Sequence, residues 1–328
     1  MISAVKFKEL ESRFNELNIL VIGDVMLDNY IWGEAERISP EAPVPVVNVR
    51  SSSSTPGGAG NVVANLRALG ASAALLAVVG DDKEGTQLKS LLRESGADIS
   101  MIFTDPSRPT TVKTRIIAHN QQVVRTDWED DTAITNELRG KLRDSIEREV
   151  SSFDGVILED YDKGLVDGQI IIDIMQLCKE SEVPVYVDPK ARNFFGFEGV
   201  KLMKPNASEV AHAAGIELNA DNVSEVGVTL RDRLACEMLL ITLGAEGMSL
   251  FDDDGCHHLI PTRARAVHDV SGAGDTVIST FTLAHLSGTT PKEAAEIANF
   301  AAGRVCEEVG VVPISLEKLH EIIASHKA

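Results

Sequence analysis

Basic residues are scarce in this sequence. Its 328 residues include 31 Lys and Arg against 50 Asp and Glu, which gives a formal net charge of −19 at pH 7. Proteins that bind nucleic acid or anionic membrane surfaces need an excess of Lys and Arg, so the composition argues against both kinds of partner. An anionic substrate must therefore be held by a local group of cations.

Cysteines are few and long apolar runs are missing. The four cysteines show neither a C-x-x-C motif nor paired spacing, which is typical of buried thiols in a reducing cytosol. The first 14 residues mix acids and bases and lack the apolar stretch of a signal peptide, and no run elsewhere approaches the length of a membrane span. We therefore expect a cytoplasmic protein.

The common nucleotide-binding motifs are also missing. The chain has no G-K-[ST] phosphate loop, and "PGGAGNVVANLRALG" (56–70) only begins like G-x-G-x-x-G, with Val63 at the place of the third glycine and a serine run before it. This loop leaves two interpretations open. It is a flexible start of a helix, or Gly57 and Gly58 let the backbone contact a ligand while Asn61 directs its amide at ligand hydroxyls.

What the sequence does contain is an alternation of apolar, β-branched runs with amphipathic segments. This pattern predicts an α/β protein with a mostly parallel sheet, helices on both faces and ligands at the carboxyl ends of the strands. The predicted strands lie in residues 18–27, 71–80, 153–161, 183–190, 199–206 and 238–244.

Two segments interrupt the alternation. Residues 30–50 and 110–127 alternate apolar and polar positions without a helical pattern, and we expect them to form a small antiparallel β lid over a cleft. The serines at 51–56 are predicted to form a loop. The remaining residues, 1–29, 51–109 and 128–328, form the predicted α/β domain.

The stretch "DVSGAGDTVIST" (269–280) combines a Gly-Ala-Gly turn with an acid and a helical pattern. Such a turn leaves the N–H groups of Gly272, Ala273 and Gly274 free at a helix N-terminus, where they form a cradle for an anion. Asp275 has two possible roles here, because its carboxylate could also cap the helix or complement the helix dipole.

Three further motifs are each ambiguous by themselves. In "KPNASEV", Asn206 and Glu209 are spaced like a capping box. "ITLGAEGMSLF" (241–251) fits a glycine turn between two strands, and "EDYDKG" (159–164) fits a solvated strand end.

The order of these motifs along the whole chain resembles the ribokinase-like (PfkB) family of carbohydrate kinases. GGAGN and DVSGAGD are similar to the two signature stretches of that family, with Val270 where the second usually has Thr. The resemblance implies an ATP- and Mg²⁺-dependent kinase in which Asp275 is the general base and Gly272, Ala273 and Gly274 form the anion hole. A requirement for a monovalent cation such as K⁺ is left open.

The resemblance also implies that the remaining site residues form two groups, one that binds the sugar and one that binds the nucleotide. Sugar hydroxyls are expected at Asp28, Gly57, Gly58, Asn61, Asp160 and Lys163. The nucleotide is expected at Asn206, Glu209, Thr242, Gly244, Gly247 and Asn299, with Glu209 holding Mg²⁺ through water.

Within the family, "VIGDVMLDNYIWGEAERISPEAPVPVV", "EDYDKG" and "VDPK" are similar to the kinases that act on D-glycero-D-manno-heptose 7-phosphate. This implies phosphorylation of the anomeric hydroxyl, in the biosynthesis of ADP-heptose and the lipopolysaccharide core. Because the chain has no H-x-G-H signature of a nucleotidyltransferase, we expect a stand-alone kinase. The candidates to hold the phosphate of such a substrate are Lys113, Arg125, Lys190 and Arg192, although for each of them alone an ordinary surface charge is the better explanation.

Two alternative functions stay open on the sequence: a kinase for another sugar such as fructose or ribose, and a sugar-binding regulator without activity. The intact Asp275 and GAGD turn count against the regulator. Since many members of the family dimerise through their lids, and since the edges of small sheets need cover, we expect a homodimer through the β lid.

Overall fold

The computed structural model describes residues 4–119, 121–264 and 267–325. Asn120, within the predicted lid segment 110–127, lies outside the described residues. Among the described residues there are two sheets and ten α-helices. The helices are α1 (Ala4–Phe14), α2 (Ala59–Ala68), α3 (Lys83–Glu94), α4 (Asn136–Glu149), α5 (Gly168–Glu180), α6 (Ala207–Ala214), α7 (Val223–Leu234), α8 (Ala273–Leu286), α9 (Pro291–Val305) and α10 (Leu316–Ser325).

The larger sheet has nine strands in the order β13-β12-β11-β10-β9-β8-β1-β4-β5. The seven strands from β11 to β5 pair in parallel, and β12 and β13 add an antiparallel hairpin at one edge. These strands are β1 (Asn18–Gly23), β4 (Ser72–Gly80), β5 (Ile102–Asp105), β8 (Gly155–Glu159), β9 (Val185–Asp188), β10 (Leu202–Met203), β11 (Met238–Thr242), β12 (Met248–Phe251) and β13 (His257–Ile260).

The two faces of this sheet pack against different helices, because side chains alternate along a strand. In β1, Ile19 and Val21 belong to a core formed with α1, α2, α8, α9 and α10, whereas Leu20 and Ile22 belong to a second core formed with α4, α5 and α7. Helices therefore cover both faces, and the predicted fold class is confirmed. No helix in the described ranges is long and apolar enough to cross a membrane.

The smaller sheet has four strands in the order β3-β2-β6-β7. Its outer pairs are antiparallel, and its central pair, β2 with β6, is parallel. Its strands are β2 (Val25–Ile38), β3 (Pro45–Gly58), β6 (Thr111–Ala118) and β7 (Gln121–Trp128). Both β2 and β3 extend beyond the predicted boundaries at 30 and 50, and the division of the chain into two parts remains a prediction.

The serine run at 51–56 is part of β3, so its prediction as a loop is wrong. Ser51, Ser53 and Thr55 pair with Trp32, Tyr30 and Asp28 of β2. A serine run has little preference for a strand by itself, and the ladder of backbone hydrogen bonds to β2 determines its conformation.

Candidate active site

The Gly-Ala-Gly turn lies at the N-terminus of α8, as the motif predicted. Gly272 has φ 77° and no side chain caps the helix. The N–H of Ala273 donates to the Val270 carbonyl at 3.2 Å, which corrects the expectation that all three N–H groups are free. In the described part of the chain, the N–H groups of Gly272 and Gly274 have no such acceptor, so two donors remain available to an anion.

Asp275 does not cap its helix. Its carboxylate accepts a hydrogen bond from Asn61 Nδ2 at 2.7 Å and one from the Tyr161 hydroxyl at 2.9 Å. Burial raises the pKa of Asp275 and the charge of Asp188 adds to this, whereas the bonds from Asn61 and Tyr161 act in the opposite direction. These contacts favour a role for Asp275 in the site over a role in the helix.

Asn61 also has a partner within the protein. Its amide nitrogen faces Asp275, and its Oδ1 accepts a bond from Asn65 at 3.2 Å. The glycine loop thus presents Asn61 to the Asp275 carboxylate, and a contact of Asn61 with sugar hydroxyls stays a prediction.

A buried cluster of carboxylates surrounds Asp275. Glu159 ends β8 and Asp188 ends β9, and oxygens of Glu159, Asp188 and Asp275 lie within 4.8 Å of one another. Among the described residues, neither carboxyl oxygen of Glu159 has a hydrogen-bond partner. Burial, followed by the charges of Asp188 and Asp275, raises the pKa of Glu159 well above its usual range.

Lys204 provides the positive charge for this cluster. Its Nζ lies 2.7 Å from Asp188 Oδ2, and its side chain is only 3% exposed. A Cβ built at Gly274 would lie 3.4 Å from the same Nζ, so the ammonium group lies directly behind the turn. Burial lowers the pKa of Lys204, but the charges of Asp188 and Glu159 outweigh it, and the pKa is raised.

Sequence reasoning missed Glu159, Tyr161, Asp188 and Lys204 as site residues. Each of them follows or ends a predicted parallel strand. The position at the carboxyl ends of these strands was the available signal.

Asn206 and Glu209 form the capping box that was one interpretation of their spacing. Asn206 Oδ1 accepts from the N–H of Glu209 at 2.9 Å, and Glu209 Oε2 accepts from the N–H of Asn206 at 2.8 Å. The other oxygen of Glu209 lies 2.6 Å from Lys190 Nζ. One carboxylate oxygen of Glu209 therefore caps α6, and the other forms an ion pair with the Lys190 ammonium group at the start of that helix.

The other predicted nucleotide residues lie along the adjacent edge of the sheet. Thr242 forms a bridge with Asn206, and Gly244 is an exposed residue with φ 60°. Gly247 has φ 98°, and a Cβ there would lie 2.1 Å from the Ile260 carbonyl oxygen, so the turn requires glycine. Asn299 donates to the Pro261 carbonyl at 2.7 Å.

Asn299 also lines a small cavity. The cavity includes Pro261, Arg263 and Phe300, and the Arg263 guanidinium lies 5.4 Å from the centre of the Phe300 ring. The cavity is only about 40 Å³, so it marks the surface beside Asn299 and does not enclose a nucleotide base.

On the lid side, Asp28 is paired with Arg115, a residue that the sequence analysis did not select. A Cβ at Gly57 would lie 2.1 Å from Asp28 Oδ2, so glycine is required there to admit the carboxylate. Arg115 also lies 5.3 Å from the centre of the Tyr30 ring, and the Tyr30 hydroxyl accepts from the N–H of Val311.

The strand register places three cations on the same face of the lid. Lys113 and Arg115 are two residues apart on β6, and Arg125 of β7 pairs with Arg115. Lys113 lies 3.6 Å from Asp127, and Arg125 lies 2.9 Å from it. We call Lys113, Arg115 and Arg125 the lid cations.

The remaining predicted cations lie elsewhere. Lys190 pairs with Glu209 and lies 4.8 Å from the centre of the Tyr161 ring. Arg192 is about half exposed and pairs with Asp131 and Asp162. The structure therefore separates the four candidates into two on the lid, one beside Glu209 and one at the surface.

Asp160 and Lys163 contact residues of their own loop, 159–164, and of neighbouring segments. The carboxylate of Asp160 accepts from the N–H of Asp162 and from Asn193 Nδ2, and Lys163 Nζ lies 2.9 Å from Glu129. The loop is held by Asp24, which accepts from the N–H groups of Tyr161, Lys163 and Leu165. These contacts position Tyr161 over Asp275.

Comparison with known proteins gives matches along most of the chain. A model of the pfkB family of carbohydrate kinases matches residues 16–319. The Bifunctional protein HldE of Geotalea uraniireducens is 42% identical over 312 residues, which cover 94% of this chain and 64% of that protein. The HldE protein of Helicobacter pylori is 42% identical over 306 residues, covering 93% and 66%. This chain thus spans less than two thirds of the length of these relatives.

Solved structures share the fold at low identity. Phosphofructokinase-2 of Escherichia coli, in complex with substrates and products, superposes with a TM-score of 0.80 at 17% identity, covering 94% of this chain and 99% of that chain. Ribokinase of Arabidopsis thaliana, complexed with ribose and ATP, gives a TM-score of 0.73 at 18% identity, covering 94% and 98%.

Proposed function

Because the chain belongs to the PfkB family of carbohydrate kinases, we propose that its substrate is D-glycero-D-manno-heptose 7-phosphate. The enzyme is an ATP-dependent phosphotransferase to an alcohol group. The proposed product is heptose 1,7-bisphosphate, formed at the anomeric hydroxyl on the route to ADP-heptose and the lipopolysaccharide core. The observation that carries this proposal is the group of lid cations beside Asp28, which suits a sugar that already has a phosphate.

In the proposed reaction Asp275 takes the proton from the anomeric hydroxyl. The hydroxyl oxygen attacks the γ-phosphorus of ATP, and the bond from that phosphorus to the bridging oxygen of ADP breaks. Asn61 and Tyr161 hold the two carboxylate oxygens, so Asp275 is oriented before the sugar arrives.

The α8 N-terminus would stabilise the charge on the phosphoryl group in transfer. The free N–H groups of Gly272 and Gly274 are donors, and Lys204 lies behind them. Fixed donors of this kind are effective because they need no reorganisation during the reaction. The motif predicted only the glycine turn, and Lys204 is added to that anion site.

The residues present fit a hard divalent cation such as Mg²⁺. Glu159 and Asp188 offer only oxygen donors, which Mg²⁺ prefers, and within the described residues both oxygens of Glu159 lack a hydrogen-bond partner, whereas Asp275 keeps its two hydrogen bonds and is left to act as the base. Glu209 would hold the ion through a water molecule. Its carboxylate pairs with Lys190 and lies at the same charged edge of the sheet. When bound, Mg²⁺ would neutralise charge on the phosphates of ATP, which supplies the phosphoryl group.

We extend the cofactor proposal to a monovalent cation such as K⁺, because one solved structure of Escherichia coli phosphofructokinase-2 is a complex with potassium. The nucleotide would lie along Asn206, Thr242, Gly244 and Gly247, with its base near Asn299.

We further propose a homodimer through the β lid in the cytoplasm. The lid face opposite the cations is apolar and lined by Ile31, Val44, Val47, Val49, Ile116 and Val124. Val49 is 60% exposed and Val124 is 45% exposed. Such a surface needs cover, and a second copy of the same face would supply it.

The experiment that tests the substrate is a panel of sugars assayed for ADP release. It contains heptose 7-phosphate, the unphosphorylated heptose, fructose 6-phosphate, fructose and ribose, each in K⁺ and in Na⁺. We expect kcat/KM to be highest for heptose 7-phosphate, with the product identified as the 1-phosphate ester by ³¹P NMR. A higher kcat/KM for another sugar would replace the proposed substrate, and no sugar-dependent turnover would exclude the kinase reaction.

A further inference from the structure

The hairpin between β12 and β13 brings together three side chains with different metal-binding atoms. Asp252 follows β12, and Cys256 and His258 lie across from it. Because Leu250 pairs with His258 and Phe251 with His257, the alternation of side chains puts Asp252, Cys256 and His258 on one face. A carboxylate oxygen, the Cys256 Sγ and a ring nitrogen of His258 lie within 4.8 Å of one another.

The local geometry keeps this group together. The N–H of Cys256 donates to Asp252 Oδ1 at 2.7 Å, and the N–H of Asp252 donates to the Cys256 carbonyl at 3.0 Å. Asp252 Oδ2 lies 2.8 Å from His258 Nε2. Asp252 is 7% exposed, whereas the Cys256 thiol is exposed, so the cluster is anchored on one side and open to solvent on the other.

The cluster is separate from the phosphoryl-transfer site. Thr242, at the carboxyl end of β11, pairs with Met248, whereas Leu239, near the amino end of β11, pairs with Phe251. Asp252 therefore lies at the end of the sheet opposite the nucleotide loop. A metal held there would have no contact with the reacting groups.

We propose that Asp252, Cys256 and His258 bind a divalent zinc-type cation. Thiolate, imidazole and carboxylate are the three protein ligands of Zn²⁺, and a water would complete a tetrahedron. A site with sulfur and imidazole ligands prefers Zn²⁺ to Mg²⁺, the ion proposed for the oxygen-only cluster around Asp275. The two metal sites would thus select different ions.

When the cation binds, it takes the place of the proton in the hydrogen bond between His258 Nε2 and Asp252 Oδ2. Two ligands at about 2.1 Å from a tetrahedral ion are about 3.4 Å apart, so the observed 2.8 Å between Nε2 and Oδ2 must widen by about half an ångström. A rotation of the His258 ring, whose side chain is 23% exposed, supplies that change. The bound ion would link the two strands of the hairpin at the edge of the nine-stranded sheet.

The test uses the full chain, freed of metal with a chelator and kept reduced, in excess Mg²⁺. Mg²⁺ occupies the carboxylate sites but competes poorly at a thiolate. Co²⁺ is titrated as a spectroscopic probe, and Zn²⁺ affinity is measured against a chromophoric chelator. The variants are Cys256→Ser and His258→Gln, and the matched control is His257→Gln, the neighbouring histidine that stacks on Phe251 on the opposite face.

We expect the wild type to bind one equivalent of Co²⁺ with a thiolate-to-cobalt charge-transfer band. Cys256→Ser should lose the band, and both Cys256→Ser and His258→Gln should bind Zn²⁺ at least about tenfold more weakly. His257→Gln should keep the band, and all three variants should keep kinase activity. The proposal is overturned if the wild type shows no band, if the band persists in Cys256→Ser, or if the Zn²⁺ affinities of the variants equal that of the wild type.

Discussion

Asp275→Asn is the substitution that most directly separates a base from a structural carboxylate. The asparagine has nearly the same size, and its oxygen can still accept the hydrogen bond from Asn61 Nδ2. The amide nitrogen would then face the Tyr161 hydroxyl, which can accept a hydrogen bond as well as donate one. Both contacts can therefore be kept.

The expected effect on stability is small. Two charge-assisted bonds become neutral ones, which costs about 1 kcal/mol each, but a fully buried charge is also removed, which acts in the opposite direction and offsets most of that cost. We expect the free energy of unfolding to stay within about 1 kcal/mol of the wild type. The expected effect on catalysis is large, since an amide cannot take the hydroxyl proton.

Turnover should fall by about 10²–10⁴-fold, which corresponds to about 3–5 kcal/mol in the activation free energy. Affinity for ATP and sugar should change little, because the lost interaction operates in the transition state. A graded result should come from Tyr161→Phe, which removes one of the two bonds that orient Asp275 and should cost about tenfold. Asp144→Asn, at an exposed position on α4, serves as the control.

The assay combines steady-state turnover, thermal unfolding and ligand titration on the same preparations. If Asp275→Asn stays folded and keeps turnover within tenfold of the wild type, Asp275 is not the base. A large loss of turnover together with a large loss of stability would instead assign Asp275 a structural role.

Three further predictions concern the lid and a buried acid. Arg115→Ala should weaken binding of a phosphorylated sugar by about 1.5–3 kcal/mol more than binding of the unphosphorylated sugar in calorimetry, and equal losses for both would remove Arg115 from the phosphate site. Burial raises the pKa of Asp160 to about 6, so the folded state holds more protons between about pH 4 and 6 and loses stability as pH rises through that window. Asp160→Asn should therefore gain roughly 2–3 kcal/mol relative to the wild type from pH 4 to 7 in denaturant unfolding, and a pH-independent difference would contradict this. Val124→Asp on the apolar lid face should convert a dimer to a monomer in sedimentation, and a wild-type monomer at micromolar concentration would refute the dimer.

Some features of the protein were predictable because they depend on short stretches of chain. Apolar runs between amphipathic segments predicted the parallel sheet, since each strand is buried on both faces and each crossover helix on one. The GAGD turn was identified because a glycine with positive φ and a helix start are local properties of Gly272 and its neighbours. Gly57 and Asp28 were selected as site residues because their motifs resemble those of the family.

Other features depend on which elements become neighbours. Glu159, Asp188 and Lys204 come from the ends of different strands, and only the strand order β10-β9-β8 brings them together beside Asp275. The serines at 51–56 are extended because β2 pairs with them.

By itself, the sequence determined the fold class, the motif order that identifies the kinase family and the position of Asp275 at a helix start. The tertiary structure decided that Asn61 holds Asp275, that Arg115 pairs with Asp28, and that Lys190 lies beside Glu209 rather than with the lid cations. The physical reason is range: turns and helix starts depend on neighbouring residues, whereas the contacts of a charged side chain depend on distant segments whose positions are fixed by packing of the whole core.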